Sequence, residues 1–313
     1  MLNENFFKCA LAFTFLFQRA LNMIDKVMTA QQAVKKYIHN SDTVFIGGFG
    51  HAIPFAIAHE IVRQKKHNLH LVKTGADIVF DFLVAGRCAS RLSCGWYGNP
   101  GIGMSNIINK AVASGELALN ETTNFSMMLR LHAGKLGVPF IPSPILADGD
   151  LAGSVDGIKT IKCPFTEAQY QAHSALNPDV AIIHAQRSDM NGNVQLWGSV
   201  GDTIEGCEAS KRIICSVEEI CESEEILLSA HLTKLPAHKV VAVIQQPFGA
   251  YPSYLHDYYQ RDERYYEEHG GNTKDTLKSD EWLRTNIYDH NDFDSYLKSF
   301  PSTLLSQLAW SKS

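Results

Sequence analysis

The stretch Thr43-Val44-Phe45-Ile46-Gly47-Gly48-Phe49-Gly50 decides the predicted fold of this 313-residue chain. Its first four residues are β-branched or aromatic and run directly into glycines, which is the pattern of a buried strand that ends in a tight turn. One amphipathic helical pattern starts near Thr29, before the strand, and a second follows from Pro54, a residue favoured in the first turn of a helix. Helix, strand and helix in succession predict the repeating unit of an α/β fold.

The same alternation continues along the chain. The alternation predicts strands at Leu69 to Lys73 and Arg91 to Cys94, and short uncharged runs predict four more at Val180 to Ile183, Val194 to Trp197, Ile213 to Val217 and Val240 to Gln245. Helical patterns occupy Ile78 to Ala85, Asn106 to Ala113 and Phe125 to Leu136. Buried strands separated by helices are typical of a parallel sheet covered on both sides. We therefore predict an α/β fold with an open, mostly parallel sheet, helices on both faces and a helical C-terminal tail.

Composition divides the chain into three parts. Residues 1–22 hold an apolar run that Lys8 interrupts; it lacks the basic start of a signal peptide and falls short of the roughly 20 apolar residues that span a bilayer. We treat this part as an N-terminal extension without an assigned function. Residues 23–250 form the main predicted domain. Residues 251–313 form a helical tail rich in tyrosine, and we favour packing of these tyrosines on the same domain over a tyrosine patch for a partner.

The charge and the cysteine content argue against several classes of protein. A net charge of -5 and an isoelectric point near 6.2 argue against nucleic acid as a partner, because nucleic-acid binders carry a basic surface. The seven cysteines form no C-x-x-C pair, so we interpret them as reduced thiols of a cytoplasmic protein. The sequence contains no zinc-protease, Walker or serine-hydrolase motif, and we expect neither a metal nor a membrane.

The glycine loop after the first strand has three possible uses. Its glycines permit positive φ and a close approach of a ligand to the main chain, and N–H groups beside a helix N-terminus suit an anion or a developing oxyanion. A plain tight connection is the second interpretation. A dinucleotide site is the third and is disfavoured, because Ile53 replaces the third glycine of that motif and Lys73 ends the next strand where an acidic residue would bind the ribose.

A second glycine-rich loop, Gly95 to Gly103, follows another predicted strand and precedes a helix. In an open α/β sheet the loops at the carboxyl ends of the strands line the ligand crevice. The four glycines and two aromatic residues of this loop suit an acyl pocket, although an ordinary long turn around a packed tryptophan explains them equally well.

Several titratable residues are candidates for acid–base chemistry. The histidines considered as general bases are His51, His59, His132 and His184. We favour a polar contact or a core position for each, with His51 the strongest candidate because it lies in the glycine loop. Glu208, flanked by Cys207 and Ala209, is expected to orient a loop and not to act as a nucleophile.

Several segments together resemble the family I coenzyme A transferases, and within that family the alpha subunits of the glutaconate branch. They are residues 26–29, 42–49, 136–142, 179–186, 218–220 and 247–253. The resemblance runs from about Lys26 to Ser302. The chain departs from the family signature at Ala52, where a glycine usually precedes Ile-Pro; the glutaconate branch also lacks that glycine.

The resemblance implies a mechanism in which a glutamate, carried by a beta subunit, attacks an acyl-CoA thioester and transfers CoA to a carboxylate acceptor. Coenzyme A is then a substrate, and no cofactor is bound permanently. The chain would be inactive alone and would act in a hetero-oligomer, α2β2 or larger. By the resemblance it would supply Gly48, Phe49 and Gly50 as loop support for the oxyanion, with the substrate-binding residues Gly47, His51, Gly98, Asn99 and Gly101.

Two alternatives stay open at this point. A CoA-thioester hydrolase that opens a ring is built on the same two-chain fold, but such enzymes carry a glutamate where Asn124 aligns here, which favours the transferase. A non-catalytic regulatory domain that binds a sugar phosphate has a similar α/β fold and would need no partner chain.

Overall fold

The structure, a computed structural model, describes residues 25–99, 101–146, 155–274 and 276–310. The predicted extension at residues 1–22 lies outside these ranges. The strands are β1 Thr43–Ile46, β2 Leu69–Val72, β3 Gly75–Ala76, β4 Ala89–Cys94, β5 Trp96–Tyr97, β6 Ala118–Glu121, β7 Phe140–Ser143, β8 Ile158–Lys162, β9 Gln169–Ser174, β10 Val180–Ser188, β11 Val194–Gln195, β12 Ile213–Ile220, β13 Thr233–Leu235 and β14 Val240–Gln245.

The α-helices are α1 Ala30–Tyr37, α2 Phe55–Arg63, α3 Val79–Ala85, α4 Asn106–Ala113, α5 Asn124–Leu136, α6 Thr203–Ala209, α7 Ser223–Leu228, α8 Glu263–Asn272, α9 Thr276–Leu283, α10 Phe293–Leu297 and α11 Ser302–Leu308. In the described part of the chain, none of the helices is long and apolar enough to cross a membrane.

The central sheet is mostly parallel. Its parallel strands lie in the order β14-β12-β10-β1-β2-β4-β6. The strands β11 and β13 join antiparallel at the end of β10. The chain proceeds from β1 to β2, β4 and β6 on one side and later from β10 to β12 and β14 on the other. The strand order therefore reverses between β1 and β10, and such a reversal opens a crevice at the carboxyl ends of the strands.

Side chains of β1 are buried on both faces of the sheet. Val44 and Ile46 pack into the core formed with α1 to α4, whereas Phe45 packs into the core formed with α5 and α6. Because both faces are covered, β1 is a continuous apolar run, as parallel strands generally are. The predicted open, mostly parallel sheet with helices on both faces is confirmed.

Local sequence signals define the helices that flank β1. Thr29 caps α1: its Oγ1 accepts a hydrogen bond from the Gln32 N–H at 3.2 Å, and the Gln32 Oε1 accepts one from the Thr29 N–H at 3.0 Å. This reciprocal capping box satisfies two N–H groups that the first turn would leave unpaired. Pro54 immediately precedes α2, so the predicted start of that helix is correct to within one residue.

The short strands β3, β5 and β13 were not predicted, and neither were two larger parts of the sheet structure. The edge strand β6 and the small antiparallel sheet in the order β7-β9-β8 both lie in segments to which the sequence pattern assigned no strand. Most of their residues are exposed or half-buried, so these strands show no buried apolar run, although β7 begins with Phe140 and Ile141. Strand β11 is also shorter than predicted and ends at Gln195, because it pairs with only the last part of β10.

The helical C-terminal tail packs on the α2 and α3 side of the sheet. Trp282 of α9 lies against Phe82 of α3, with ring centroids 4.1 Å apart, and Phe293 of α10 lies 5.0 Å from the ring of His59. The fully buried tyrosines of this region are Tyr251, Tyr259, Tyr266 and Tyr296. They belong to the interior of the protein, whereas Tyr254, Tyr258 and Tyr265 are half-buried.

Candidate functional site

The glycine loop after β1 lies at the reversal of strand order. Gly48 has a φ of 82°, and a Cβ atom there would lie 2.7 Å from the carbonyl oxygens of His51 and Ala52. Gly50 has a φ of 65° but faces open space. Only glycine fits at position 48, because both the backbone conformation and the lack of room exclude a side chain.

The structure narrows the set of N–H groups that this loop offers to a ligand. The Gly48 N–H donates to Thr203 Oγ1 at 2.9 Å, and the Phe49 N–H donates to the His51 carbonyl at 3.0 Å. Within the described residues, the Gly50 N–H makes no hydrogen bond. Of the predicted oxyanion loop Gly48, Phe49 and Gly50, only Gly50 keeps an N–H free for a ligand.

A buried ion pair supports the loop from below. Lys73, at the end of β2, binds the carboxylate of Asp202, which precedes α6; the two side chains are 2% and 1% exposed. Asp202 Oδ2 also accepts hydrogen bonds from the Thr74 N–H at 3.0 Å and the Thr74 hydroxyl at 2.8 Å. Lys73 therefore serves to join β2 to α6 across the end of β1. The sequence drew attention to this lysine but carried no signal for its partner.

A short parallel ladder brings the second glycine loop beside the first. Strand β3 extends β2 and pairs with β5, which extends β4. The Gly98 N–H donates to the Ala76 carbonyl at 2.8 Å, and a Cβ atom on Gly95 would lie 2.2 Å from the Asn124 nitrogen. Gly95 thus allows the N-terminus of α5 to pack directly on the loop.

The two loops form the walls of one open cleft with a volume of about 320 Å³. Its described lining residues are Phe49, Gly50, Gly75, Asp77, Trp96, Gly98, Asn99, Asn124 and Arg261. The cleft therefore combines main chain at glycines, aromatic rings, two amides, one carboxylate and one guanidinium. Such convergent polar groups in a pocket with aromatic walls are typical of a small-molecule site.

Four of the predicted loop and binding residues line this cleft, namely Phe49, Gly50, Gly98 and Asn99. Gly47 and Gly48 are buried beneath the loop, and Gly101 is exposed and is not among the lining residues. His51 is fully buried behind the loop, with its Nδ1 3.1 Å from the Ser199 carbonyl. Burial lowers the pKa of His51 to about 4, so its imidazole is neutral near pH 7. The structure does not bring Gly47, Gly48, His51 or Gly101 into the cleft.

Asp77 provides the carboxylate of the cleft and was not a predicted site residue. Its Oδ1 accepts a hydrogen bond from the Ile78 N–H at 2.6 Å, and its Oδ2 accepts one from Asn99 Nδ2 at 3.2 Å. Burial raises the pKa of Asp77 to about 6, against the opposing effects of the Ile78 N–H and the Arg261 charge. Asn99 therefore acts in the cleft partly by orienting Asp77.

Arg261 provides the positive charge of the cleft and comes from the C-terminal tail. Its guanidinium carbon lies 3.9 Å from the centroid of the Tyr266 ring. The sequence predicted only packing for the tail. It carried no signal for this residue, because nothing local in the chain indicates which segment reaches the ends of the parallel strands.

The other histidines lie in structural positions. His184 is fully buried; its Nδ1 lies 2.8 Å from Ser216 Oγ and its Nε2 lies 2.8 Å from Glu218 Oε1. His59 is buried among aromatic rings, and His132 is half-buried on α5, outside the residues that line the cleft. Glu208 pairs with Lys135 at 2.6 Å and lines a different pocket. These positions fit the contact and core roles that the sequence favoured.

The cysteines and acidic residues form no metal centre in the described part of the chain. No group of three or more His, Cys, Asp and Glu side chains there is arranged to hold a metal ion. The described cysteines, Cys88, Cys94, Cys163, Cys207, Cys215 and Cys221, are all unpaired thiols; Cys9 lies outside the described residues.

Known proteins resemble this chain in sequence and in fold. The family model for coenzyme A transferase matches residues 27–243. The chain is 37% identical to the A-type subunit of 3-oxoadipate CoA-transferase from Pseudomonas knackmussii, over 87% of this chain and 96% of that protein. It is 29% identical to the A-type subunit of glutaconate CoA-transferase from Acidaminococcus fermentans, over 91% of this chain and 95% of that protein. The crystal structure of that glutaconate enzyme superposes with a TM-score of 0.86 and 28% identity, covering 92% of this chain and 96% of the other.

Proposed function

The chain belongs to the coenzyme A transferase family, and we propose that it is the alpha-type subunit of a two-chain enzyme that moves CoA from an acyl-CoA thioester to a carboxylic acid. The observation that carries this proposal is the composition of the cleft, whose described lining residues include no glutamate. A transfer through a covalent glutamyl intermediate needs that nucleophile. It is therefore supplied by a beta-type partner, in a hetero-oligomer of α2β2 or larger stoichiometry.

The proposed reaction exchanges one thioester for another. The partner's glutamate attacks the thioester carbonyl, the carbon–sulfur bond breaks, and an acyl-glutamyl anhydride and CoA thiolate form. The thiolate then attacks the glutamyl carbonyl and releases the acyl group as a carboxylate. The acceptor carboxylate then attacks the glutamyl–CoA thioester and displaces CoA thiolate, which gives a second anhydride. The thiolate attacks the acceptor's carbonyl in that anhydride, so the glutamate is freed and the new acyl-CoA leaves. Coenzyme A enters and leaves as substrate and product, so the proposal requires no permanently bound cofactor.

The residues of this chain would stabilise negative charge beside the reacting carbonyl. The free N–H of Gly50 is a donor fixed by the turn, and such preorganised donors lower the barrier when charge develops on an oxygen. Asn124 adds an exposed amide at the first residue of α5, where the helix end itself favours a negative charge. Neither residue can replace the nucleophile.

Exposed apolar side chains support the proposal that a partner covers the cleft. Phe49 lines the cleft and is 46% exposed, and Phe125, next to the lining residue Asn124, is 54% exposed. Large apolar side chains grouped at the mouth of a site commonly mark an interaction surface. A partner seated there would exclude water, which protects an anhydride from hydrolysis.

Co-expression with the product of the neighbouring reading frame tests the function. The purified complex is incubated with an acyl-CoA, with and without a carboxylic acid acceptor. We expect a new acyl-CoA to form only when the acceptor is present, and neither chain to act when purified alone. Release of free CoA by the complex without acceptor would contradict the transferase and favour hydrolysis of the thioester. A single chain that is monomeric and binds a sugar phosphate tightly would contradict both enzymes.

A further inference from the structure

Two of the segments on which the family resemblance rests, around Glu218 and Phe248, meet at one buried carboxylate. Glu218 of β12 is 7% exposed. Its Oε2 accepts a hydrogen bond from the Phe248 N–H at 2.9 Å, and its Oε1 accepts one from the Tyr259 hydroxyl at 3.0 Å. His184 Nε2 lies 2.8 Å from the same Oε1. Because burial of a charge is costly unless the charge is hydrogen-bonded, these three groups account for the burial of the carboxylate.

Ser216, His184 and Glu218 are hydrogen-bonded in the order of a catalytic triad, but a substrate cannot reach them. Ser216 Oγ lies 2.8 Å from His184 Nδ1, and an ionised glutamate only accepts hydrogen bonds, so His184 donates to it through Nε2. Ser216 and His184 are both 0% exposed, and neither is a described lining residue of the cleft. The network is therefore not a nucleophilic site.

The hydrogen bonds of Glu218 hold a segment of the tail that we call the support turn, residues 247–254. The Phe248 N–H binds Glu218 directly. The Tyr259 hydroxyl donates to Glu218 and also accepts a hydrogen bond from the Ala250 N–H at 3.1 Å. Tyr259 is 1% exposed, so water does not replace the carboxylate as the acceptor of its hydroxyl. The support turn is thus attached to β12 at two places.

The support turn in its turn holds the end of the glycine loop. The Tyr254 carbonyl accepts a hydrogen bond from the Ala52 N–H at 3.0 Å, and the Ser253 hydroxyl accepts one from the Ile53 N–H at 3.3 Å. Ala52 has a φ of 54°, a conformation that a residue with a side chain keeps only where its surroundings enforce it. The position of Gly50, two residues earlier, therefore depends on the support turn.

We propose that Glu218 is a positioning residue for CoA transfer, which acts by fixing the support turn and, through it, the Gly50 N–H in the cleft. The inference rests on the proposed function, because it concerns the rate of the proposed reaction. Glu218 is not among the described lining residues of the cleft, so its effect is transmitted by the support turn. A displacement of about 1 Å in a group that acts on the reacting carbonyl can lower a rate about 100-fold.

Glu218→Gln tests the inference in the purified two-chain complex. The substitution keeps the shape of the side chain but replaces one acceptor oxygen by an NH2 group, so either the Phe248 N–H or the Tyr259 hydroxyl loses its acceptor. We expect kcat to fall about 100-fold. The KM for acyl-CoA should change less than about threefold, because an oxyanion donor acts mainly in the transition state. Label exchange between an acyl-CoA and its own free acid measures both, with the fastest of acetate, butanoate, succinate, glutarate and adipate.

Asp189→Asn is the matched control, because it replaces another buried carboxylate by an amide of the same shape. Asp189 is 0% exposed and accepts hydrogen bonds at 2.8 Å from the Asn193 N–H, the Asn193 side-chain amide and the Ser223 hydroxyl. These groups belong neither to the support turn nor to the glycine loop. We expect Asp189→Asn to lower stability in urea unfolding, as Glu218→Gln does, but to leave kcat unchanged.

Two further measurements separate positioning from a general loss of stability. Tyr259→Phe removes the hydroxyl that joins Glu218 to Ala250, so it should also lower kcat, and the double variant should be no slower than the slower single variant. Hydrogen exchange followed by mass spectrometry reports on the glycine loop without turnover. The peptide that contains Ala52 should exchange about tenfold faster in Glu218→Gln, the scale of one lost hydrogen bond, and at an unchanged rate in Asp189→Asn.

An unchanged kcat in the folded Glu218→Gln complex, or an equal loss of kcat in Asp189→Asn, would overturn the inference and leave the proposed function intact. If the wild-type complex transfers CoA to none of the five acids, the proposed function fails. Hydrogen exchange then decides whether Glu218 positions the loop, and an unchanged exchange rate at Ala52 in Glu218→Gln would overturn that as well.

Discussion

Gly48 and Gly50 have similar backbone conformations but different surroundings, so the same substitution should affect them differently. Gly48→Ala introduces a Cβ 2.7 Å from two carbonyl oxygens, and we expect it to displace the loop and abolish CoA transfer. Gly50→Ala meets open space, so only its positive φ is unfavourable, at about 1–2 kcal/mol. Urea unfolding and the transfer assay measure both effects. Equal losses of stability in the two variants would contradict this account of the loop.

His59 should make the protein sensitive to acid. Its ring lies among the rings of Phe55, Phe82, Phe293 and Tyr296, neither ring nitrogen is hydrogen-bonded, and burial lowers its pKa well below the ordinary value. Below about pH 6.5 the unfolded chain binds a proton that the folded chain rejects, so stability is lost as pH falls.

His59→Leu removes this titration and an unsatisfied buried polar group. We expect a higher free energy of unfolding than wild type, with the larger gain below about pH 6.5. Urea unfolding at pH values on either side of that point measures the difference. If the variant and the wild type lose the same stability on acidification, His59 does not titrate as its surroundings require.

At the residue scale, local sequence patterns identified only some of the site residues. Gly48 and Gly50 were recognisable because a backbone with positive φ favours glycine. The sequence drew attention to Lys73 but not to Asp202, and their pairing depends on β2 and α6 meeting across β1. Arg261 reaches the cleft from the tail. Contacts between segments distant in the chain have no local signature, so these contacts appeared only in the structure.

At the scale of elements, the C-terminal tail is part of the core. We expect Trp282→Ala in α9 to lower the free energy of unfolding by about 3–5 kcal/mol, because it empties a buried site against Phe82 and His269. Trp310→Ala is the control: Trp310 is 39% exposed, and its loss should cost less than about 1 kcal/mol. Chemical denaturation compares the two. A small effect of Trp282→Ala would mean that the tail is dispensable for the fold.

Whether a strand could be predicted from the sequence depended on how deeply it is buried. The strands β1, β10, β12 and β14 were predicted because parallel strands buried on both faces are largely continuous apolar runs. Most residues of the edge strand β6 and of the sheet of β7, β9 and β8 are exposed or half-buried, so these strands carry little of that signal. Both glycine loops follow parallel strands, which predicts that they line the ligand crevice, and they do line one cleft.

At the scale of the whole molecule, the reversal of strand order between β1 and β10 sets the position of the site. It brings the glycine loops, the Lys73–Asp202 pair and the start of α6 to the same edge of the sheet. The cleft there offers donors, a cation and apolar walls, while its described lining lacks a glutamate. The central claim is therefore that the chain forms half of an active site and that a partner chain carries the nucleophile.

Trapping the covalent intermediate tests that claim most directly. The two-chain complex is treated with an acyl-CoA and then with borohydride, which reduces an enzyme–CoA thioester to a primary alcohol, and peptide mapping locates the modified residue. Omission of the acyl-CoA provides the control. The account predicts a modified glutamate in a peptide of the partner chain. A modified carboxylate in this chain, at Asp77 or elsewhere, would contradict it.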